Sequence, residues 1–292
     1  MGVLITKILG TSDFGPYMLA GDRYLLLHFG MRQDPKGVEE LKEALGIEAV
    51  IFYEPRREAG NDRAIVFPHV MPESQAYRIS RELEEYGIDL EIAILKTRYT
   101  AIRNNILINN RGGIVNPEMY KRERESVKLL EELFDIEIIP MSIAGIRLPG
   151  SVAVANDRGA FIHEDASEEE MEAIKEILKL EKIVRGRING TPFVSVGLVA
   201  NNRGIVIGQD SSPHDIMIAT DVFLEKAAKY EFRDHILSMG INNIINRLFL
   251  RRYEDYLPIL RLRMWLLCRS RGREDSHKTP VESSYSRRHL MS

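Results

Sequence analysis

One short pattern recurs five times along this 292-residue chain. That recurrence limits the possible folds more than any other feature. Ala-Gly-Asp-Arg at 20–23, Gly-Asn-Asp-Arg at 60–63, Asn-Asn-Arg-Gly at 109–112, Asn-Asp-Arg-Gly at 156–159 and Asn-Asn-Arg-Gly at 201–204 each set an Asp or Asn directly before an Arg. The five arginines, Arg23, Arg63, Arg111, Arg158 and Arg203, are separated by 40, 48, 47 and 45 positions. A repeat of this length is one supersecondary unit that cannot bury its apolar face alone, so it must pack against copies of itself.

The content of the unit follows from local chemistry. Asn and Asp tolerate positive φ and a following Gly tolerates it better, so Asx-Arg-Gly between apolar runs predicts a hairpin turn. Strand-like runs precede three of the turns, at Ile106–Ile108, Val152–Ala155 and Val194–Ala200, and apolar runs such as Ile65–Phe67 and Ile205–Ile207 follow. Helix signals come next. Ser167 with Glu170 three residues on is a capping box, Pro72 opens a second helix, and Val127, Leu130 and Phe134 stripe a third. Further strands are expected at Ile47–Phe52, Ile88–Ile94, Ile136–Ile139 and Leu180–Val184. Five units in an open row would expose two ends, whereas a ring covers both. The sequence therefore predicts a five-bladed α/β propeller with pseudo-fivefold symmetry over 1–225.

Composition adds exclusions. Apolar residues make up 44% and charged residues 28%, as in a folded soluble domain. No 18-residue uncharged apolar run exists, so no membrane span is expected, and the start lacks a leader pattern. The single cysteine, Cys268, excludes an internal disulfide framework and a Cys-based zinc site. The net charge of −3 hides an asymmetry: 226–292 carries fourteen Lys/Arg against seven Asp/Glu, leaving an acidic body. The expectation is a cytosolic protein with two unlike segments.

The stretch from Thr100 to Thr220 resembles the later repeats of the translation initiation factor 6 family, especially its archaeal form. The residues that carry the resemblance are Asn104 with Asn109-Asn110, Gly112-Gly113-Ile114-Val115-Asn116-Pro117, Ile143-Ala144-Gly145, Pro149-Gly150-Ser151-Val152, Gly186-Arg187-Ile188-Asn189-Gly190 and Gly197-Leu198-Val199-Ala200-Asn201-Asn202-Arg203-Gly204. The first two repeats match more loosely, through Phe14-Gly15-Pro16-Tyr17 and Gly60-Asn61-Asp62-Arg63. The resemblance implies a pentein-type fold. It also implies a factor that binds the large (50S) ribosomal subunit, through ribosomal proteins and rRNA near the sarcin–ricin loop, and so blocks premature joining of the small (30S) subunit. That mechanism needs no chemistry, no cofactor, no metal and no membrane, and a monomer suffices. Asn104 stands where the family has a functionally sensitive Asn, and Arg56 near a family Arg of the same surface. Arg103 departs from the family's usual Gly, which could reach positive φ where Arg resists it.

The chemistry of enzymes is missing. Pentein folds also host amidine-modifying enzymes with a nucleophilic Cys, but Cys268 lies outside the repeats. Val194-Ser195-Val196-Gly197 lacks the first Gly of a nucleophile elbow, and no Walker loop is present. His163-Glu164-Asp165 reads as a polar turn or as a metal corner without partners. The five turn arginines have two readings, a guanidinium ring for RNA phosphates or acidic protein, and solvated hairpin tips. Beyond the repeats, 226–269 reads as a basic amphipathic helix, split at Pro258, and 270–292 as a disordered tail. The basic segment could contact RNA, a partner groove or a membrane surface, cap the propeller or carry no role; a general RNA-binding protein acting through it is the third functional reading.

Overall fold

The computed structural model describes residues 2–55 and 57–224. Arg56 and the tail read above as helical and disordered lie outside the described residues. The rest forms five three-stranded sheets, each with the same pairing. The first blade has β2 (Met18–Ala20) antiparallel to β3 (Tyr24–His28), then α1 (Pro35–Leu45), then β4 (Ala49–Tyr53) parallel to β3. The second repeats this with β5 (Ala59–Gly60), β6 (Ala64–Pro68), α2 (Glu73–Glu85) and β7 (Glu91–Leu95). In the third, the short α3 (Ile102–Asn105) leads into β8 (Ile106–Ile108) and β9 (Gly113–Val115). Helices α4 (Pro117–Arg122) and α5 (Arg124–Phe134) then precede β10 (Ile138–Pro140). The fourth comprises α6 (Pro149–Val152), β11 (Ala153–Ala155), β12 (Gly159–His163), α7 (Glu168–Ile177) and β13 (Lys182–Gly186).

The fifth blade closes the circle. Its β14 (Leu198–Ala200), β15 (Gly204–Gly208) and α8 (Pro213–Phe223) lack an outer strand of their own, and β1 (Gly2–Thr6) supplies it, pairing parallel from Gly2↔Gly204 to Thr6↔Gly208. The predicted five-bladed ring is the fold. Its middle strands are buried on both faces and accordingly read as unbroken apolar runs such as Ala-Ile-Val-Phe and Gly-Ile-Val-Ile.

The apolar interior lies between the blades. One cluster joins Leu26 and Ile51 of the first blade to Phe67 and Ile79 of the second. Another joins Val66 of the second to Leu130 and Phe134 of the third. The remaining three pair the third blade with the fourth, the fourth with the fifth, and the fifth with the first, where Val199 and Val206 meet Leu25 and Leu41. Each repeat thus buries its faces only against its neighbours, as a stacked repeat must.

Local readings hold with shifted edges. The capping box at Ser167 and Glu170 is formed, and Pro72 is the N-cap of α2. Val152 and Val194–Val196, expected in strands, instead belong to short helical turns that lead into β11 and β14. Positive φ is found elsewhere than expected. No Asx-Arg-Gly turn uses it; it falls at Arg57, at the helix ends Gly46, Gly87, Asp135 and Lys179, and at the paired positions Leu9-Gly10, Ala144-Gly145 and Asn189-Gly190, each pair a two-residue turn closing a small bridge at the other end of the ring. Arg103 also lies in an ordinary helical turn, so the Gly of the resemblance is not required there for its backbone freedom.

Candidate functional site

The five hairpin tips converge on one end of the ring, and there the repeated tetrapeptide acts as a clasp between blades. Its first residue is Asn61, Asn109, Asn156 or Asn201, all buried. In each, Oδ1 accepts the N–H groups of the second and third residues after it at 2.8–3.1 Å, which shapes the turn without positive φ. The same side chain's Nδ2 reaches into the next blade. Asn109 donates to the carbonyls of Asn156 at 3.1 Å and Leu178 at 2.8 Å, and Asn201 to those of Gly21 and Leu45, both at 2.9 Å. Leu45, Phe134, Leu178 and Phe223 end the helices of the successive blades, so each Asn satisfies a carbonyl that a helix terminus leaves orphaned.

The first blade has Gly21 at this position, and Tyr24 stands in for the missing amide. Its hydroxyl donates to the Asn61 carbonyl at 3.0 Å, and a Cβ on Gly21 would lie 2.2 Å from the Tyr24 ring. Burial, then the neighbouring carboxylates led by Asp62, push the Tyr24 hydroxyl well above the usual tyrosine value, which keeps it a donor. Tyr24→Phe is expected to lower stability by about 1–2 kcal/mol, the scale of one buried bond lost, measured by denaturant unfolding.

The second residues, Asp22, Asp62, Asn110, Asp157 and Asn202, form a closed circle. Each backbone N–H donates to Oδ1 of the next at 2.7–2.9 Å, and Asn202 returns to Asp22. The amides of Asn110 and Asn202 each bridge the two carboxylates beside them at 2.7–2.8 Å. Strict alternation of carboxylate and amide cannot close in a ring of five, and the mismatch falls at Asp22 and Asp62. Burial first, then the adjacent Asp22 charge, raises the Asp62 pKa above the ordinary carboxylate value, against hydrogen bonds from the Asp22 N–H and Asn110.

A raised folded-state value makes the protonated form the stabilising one. Its contribution is complete below the unfolded pKa and is lost as pH rises through the folded one. Asp62→Asn gives up the bond from the Asn110 amide at every pH, but it should gain on wild type by about 1 kcal/mol between acid and pH 7, the scale of one like-charge contact in a wet setting. Melting temperatures across pH 4–7 check this; a constant offset would refute it.

The third residues are the five predicted arginines. All stand at this end, and the side chains of four engage the left-handed residue that ends the next blade's helix. Nη1 donates from Arg23 to the Gly87 carbonyl at 3.3 Å, from Arg111 to Lys179 at 3.2 Å and from Arg203 to Gly46 at 3.0 Å, while Arg63 pairs with the Asp135 carboxylate at 3.0 Å. A cation suits a helix C-terminus. Arg23 also pairs with Glu48, which holds that carboxyl below its usual range. Arg158 occupies the equivalent tip.

The fourth residue is Gly112, Gly159 or Gly204. A Cβ there would come within 1.9 Å of the Ile177 carbonyl, 2.5 Å of Val222 and 1.8 Å of Ala44, so these glycines admit the next helix end rather than supply a turn.

The opposite end holds Asn104, because α3 precedes β8 and the Arg111 tip follows it. The predicted site residues are therefore divided between two ends. Asn104 is half-buried, and among the described residues its carboxamide has no hydrogen-bond partner; its backbone N–H donates to Ala101 at 3.1 Å. Around this end Arg57, Lys96, Arg98 and Arg147 are exposed, together with Leu9, Phe29 and Phe193. Arg98 and Arg147 reach Glu123 and Glu118 at 3.0 and 3.7 Å. Between the two ends runs a small axial cavity of about 80 Å³, walled by Ala20, Gly60, Ile108, Ala155 and Ala200 of the innermost strands and by Arg103.

His163-Glu164-Asp165 is a turn in which the Asp165 N–H donates to His163 Nδ1 at 3.1 Å and Glu164 pairs with Arg187. Among the described residues no group of three His, Cys, Asp or Glu is placed to hold a metal ion, and no helix is long and apolar enough to cross a membrane. Cys268 lies outside them.

Comparison with known proteins agrees with this architecture. The sequence model of the eIF-6 family matches residues 3–222, which is all five blades. The chain belongs to the eIF-6 family. Translation initiation factor 6 of Pyrococcus abyssi is 31% identical over 209 residues, 70% of this chain and 90% of that protein. The same factor of Staphylothermus marinus is 29% identical over 224 residues, 74% and 95% of the two chains, and that of Methanococcus maripaludis 30% over 222. Membership in the eIF-6 family, with archaeal relatives that carry this name, gives the chain a role in translation initiation.

Sequence reasoning marked the Asp or Asn before each Arg as turn residues, but neither their closed circle nor the role of the first Asn of the clasp. The available signal was that Asn recurs at the same offset, 61, 109, 156 and 201, two places before four of the five arginines.

Proposed function

We propose that this protein binds the large ribosomal subunit and keeps the small subunit from joining it. It acts by occlusion, as a cytosolic monomer without catalysis. The observation that carries the reading is the unbroken family match across the whole ring, 3–222, to relatives named as initiation factors. Geometry supports a choice of face. At the clasp end the recurring polar groups of the repeats are already bonded to neighbouring blades, and Arg23, Arg63, Arg111 and Arg203 are engaged at helix termini. At the opposite end Asn104 offers a carboxamide without a partner among the described residues, amid exposed cations and apolar side chains, the mixture that meets a protein surface with RNA beside it. We assign docking to the Asn104 end and the arginine circle to holding the blades together.

Sedimentation with separated archaeal subunits tests the reading, followed by a subunit-joining assay. The expected result is co-sedimentation with the large subunit and a reduced yield of joined ribosomes. Equal binding to both subunits, or none, would remove the proposal. Reversing Arg63, Arg111 and Arg203 to Glu separates the faces: large-subunit affinity should stay within about twofold of wild type while the melting temperature falls, and a loss of binding without a loss of stability would move the docking face to the clasp end.

A further inference from the structure

Residue 103 is held by more of the ring than any local role explains. Its guanidinium Nη1 crosses the axis to the first blade, donating to the Gly15 carbonyl at 2.9 Å and to that of Met18. The other interblade side-chain bonds described above join neighbours; this one skips a blade. The backbone is clamped as well. Arg103 N–H donates to the Arg57 carbonyl ahead of the second blade at 3.0 Å. From the fourth blade, the Gly150 Cα sits so close that a Cβ would lie 1.9 Å from the Arg103 carbonyl. Four blades therefore meet at one residue of a four-residue turn, α3. Enclosure lowers the Arg103 pKa from the ordinary arginine value, with Glu58 and Tyr53 opposing that shift. Tyr53 in turn donates to the buried Glu58, so the guanidinium lies beside a compensating carboxylate rather than alone in an apolar wall.

The next residue along the same turn is Asn104, whose carboxamide has no partner among the described residues. A long, partly buried arginine is costly to order and to desolvate, and a Gly at 103 would have let the turn float. We infer that Arg103 is a positioning residue: it pins α3 across the axis so that the Asn104 carboxamide is presented to the docking partner in one orientation. The inference rests on the docking face assigned above. In this protein the cross-axis strut supplies by a side chain what a tight backbone packing supplies at Gly15 and Gly150, the matching turns of the first and fourth blades, where a Cβ would meet Ser195 O at 1.8 Å and Arg103 O at 1.9 Å.

A double-mutant cycle on large-subunit affinity tests it, using Asn104→Ala, Arg103→Met and the pair in the full chain. Asn104→Ala is expected to weaken binding about tenfold and Arg103→Met about fivefold, with the double variant no weaker than Asn104→Ala, because Arg103 acts through Asn104. A double variant weakened about fiftyfold would overturn the positioning role and leave Arg103 a general support. Arg103→Lys retains the charge beside Glu58 and so guards against a variant that fails to fold; it should lose as much affinity as Arg103→Met, and full affinity in Arg103→Lys would also overturn the inference.

A second readout is independent of the ribosome. Amide exchange at Asn104 and Asn105 should speed up at least about tenfold in Arg103→Met while Asn109–Gly113 is unchanged. Unchanged exchange there defeats the strut itself. Wild-type protein that ignores the large subunit, with the exchange result intact, defeats the docking face instead.

Discussion

Asn109→Ala is expected to cost about 4 kcal/mol of unfolding free energy and to lower the melting temperature by roughly 10 °C for a ring of this size. The estimate is built from four bonds. Oδ1 of Asn109 accepts from Arg111 and Gly112, and Nδ2 donates to the carbonyls of Asn156 and Leu178. Alanine removes all four at a buried position and leaves the end of α7 and the neighbouring turn unsatisfied. Asn109→Asp is the sharper comparison. It keeps both acceptor bonds but points a carboxylate oxygen at two carbonyls, so near pH 7 it should be at least as damaging as alanine. It should partly recover in acid, where a protonated carboxyl donates to one of them. Chemical denaturation of both variants at two pH values decides the matter; an aspartate variant as stable as wild type at neutral pH would show that the interblade donors carry little.

Gly204→Ala should be comparably severe, about 3 kcal/mol or more, although it adds a single methyl group. The added carbon would stand 1.8 Å from the Ala44 carbonyl and 2.9 Å from that of Gly2. Both obstacles are backbone: one lies in the last turn of α1, the other belongs to the strand that completes the last blade, so no side chain can rotate aside. The same substitution at Gly10 meets nothing within 4 Å, and its φ of +80° limits its cost to backbone strain of about 1 kcal/mol. The ratio between the two separates crowding from conformational freedom. Equal effects would show that the junction of first and last blades relaxes easily.

That contrast also explains what the sequence made legible. The ring could be read because its signal is repetition, and repetition survives any error in individual strand edges. The edges shifted at Val152 and Val194, where β-branched residues sit in helical turns because the neighbouring blade's backbone packs there and overrides local preference. The Asx-Arg-Gly turns were correctly read as hairpins but for the wrong reason. Their glycines serve packing across blades, and packing between distant segments leaves no local pattern. The site was less legible still. Asn104 came from resemblance, and nothing near it in sequence says that its amide has no internal partner or that Arg103 reaches Gly15 eighty-eight positions earlier.

The union of β1 with β15 has a consequence for how the protein is made. Gly2 pairs with Gly204, so β1 emerges before the other strands of the ring yet finds its partner only after four blades have been made. Contacts of such long sequence separation are slow to form. Each blade can still condense on its predecessor as it emerges, since the apolar clusters join consecutive blades. An open arc therefore precedes the ring, with Val206 and Leu25 still to meet, and the ring is complete only when its first and last blades come together.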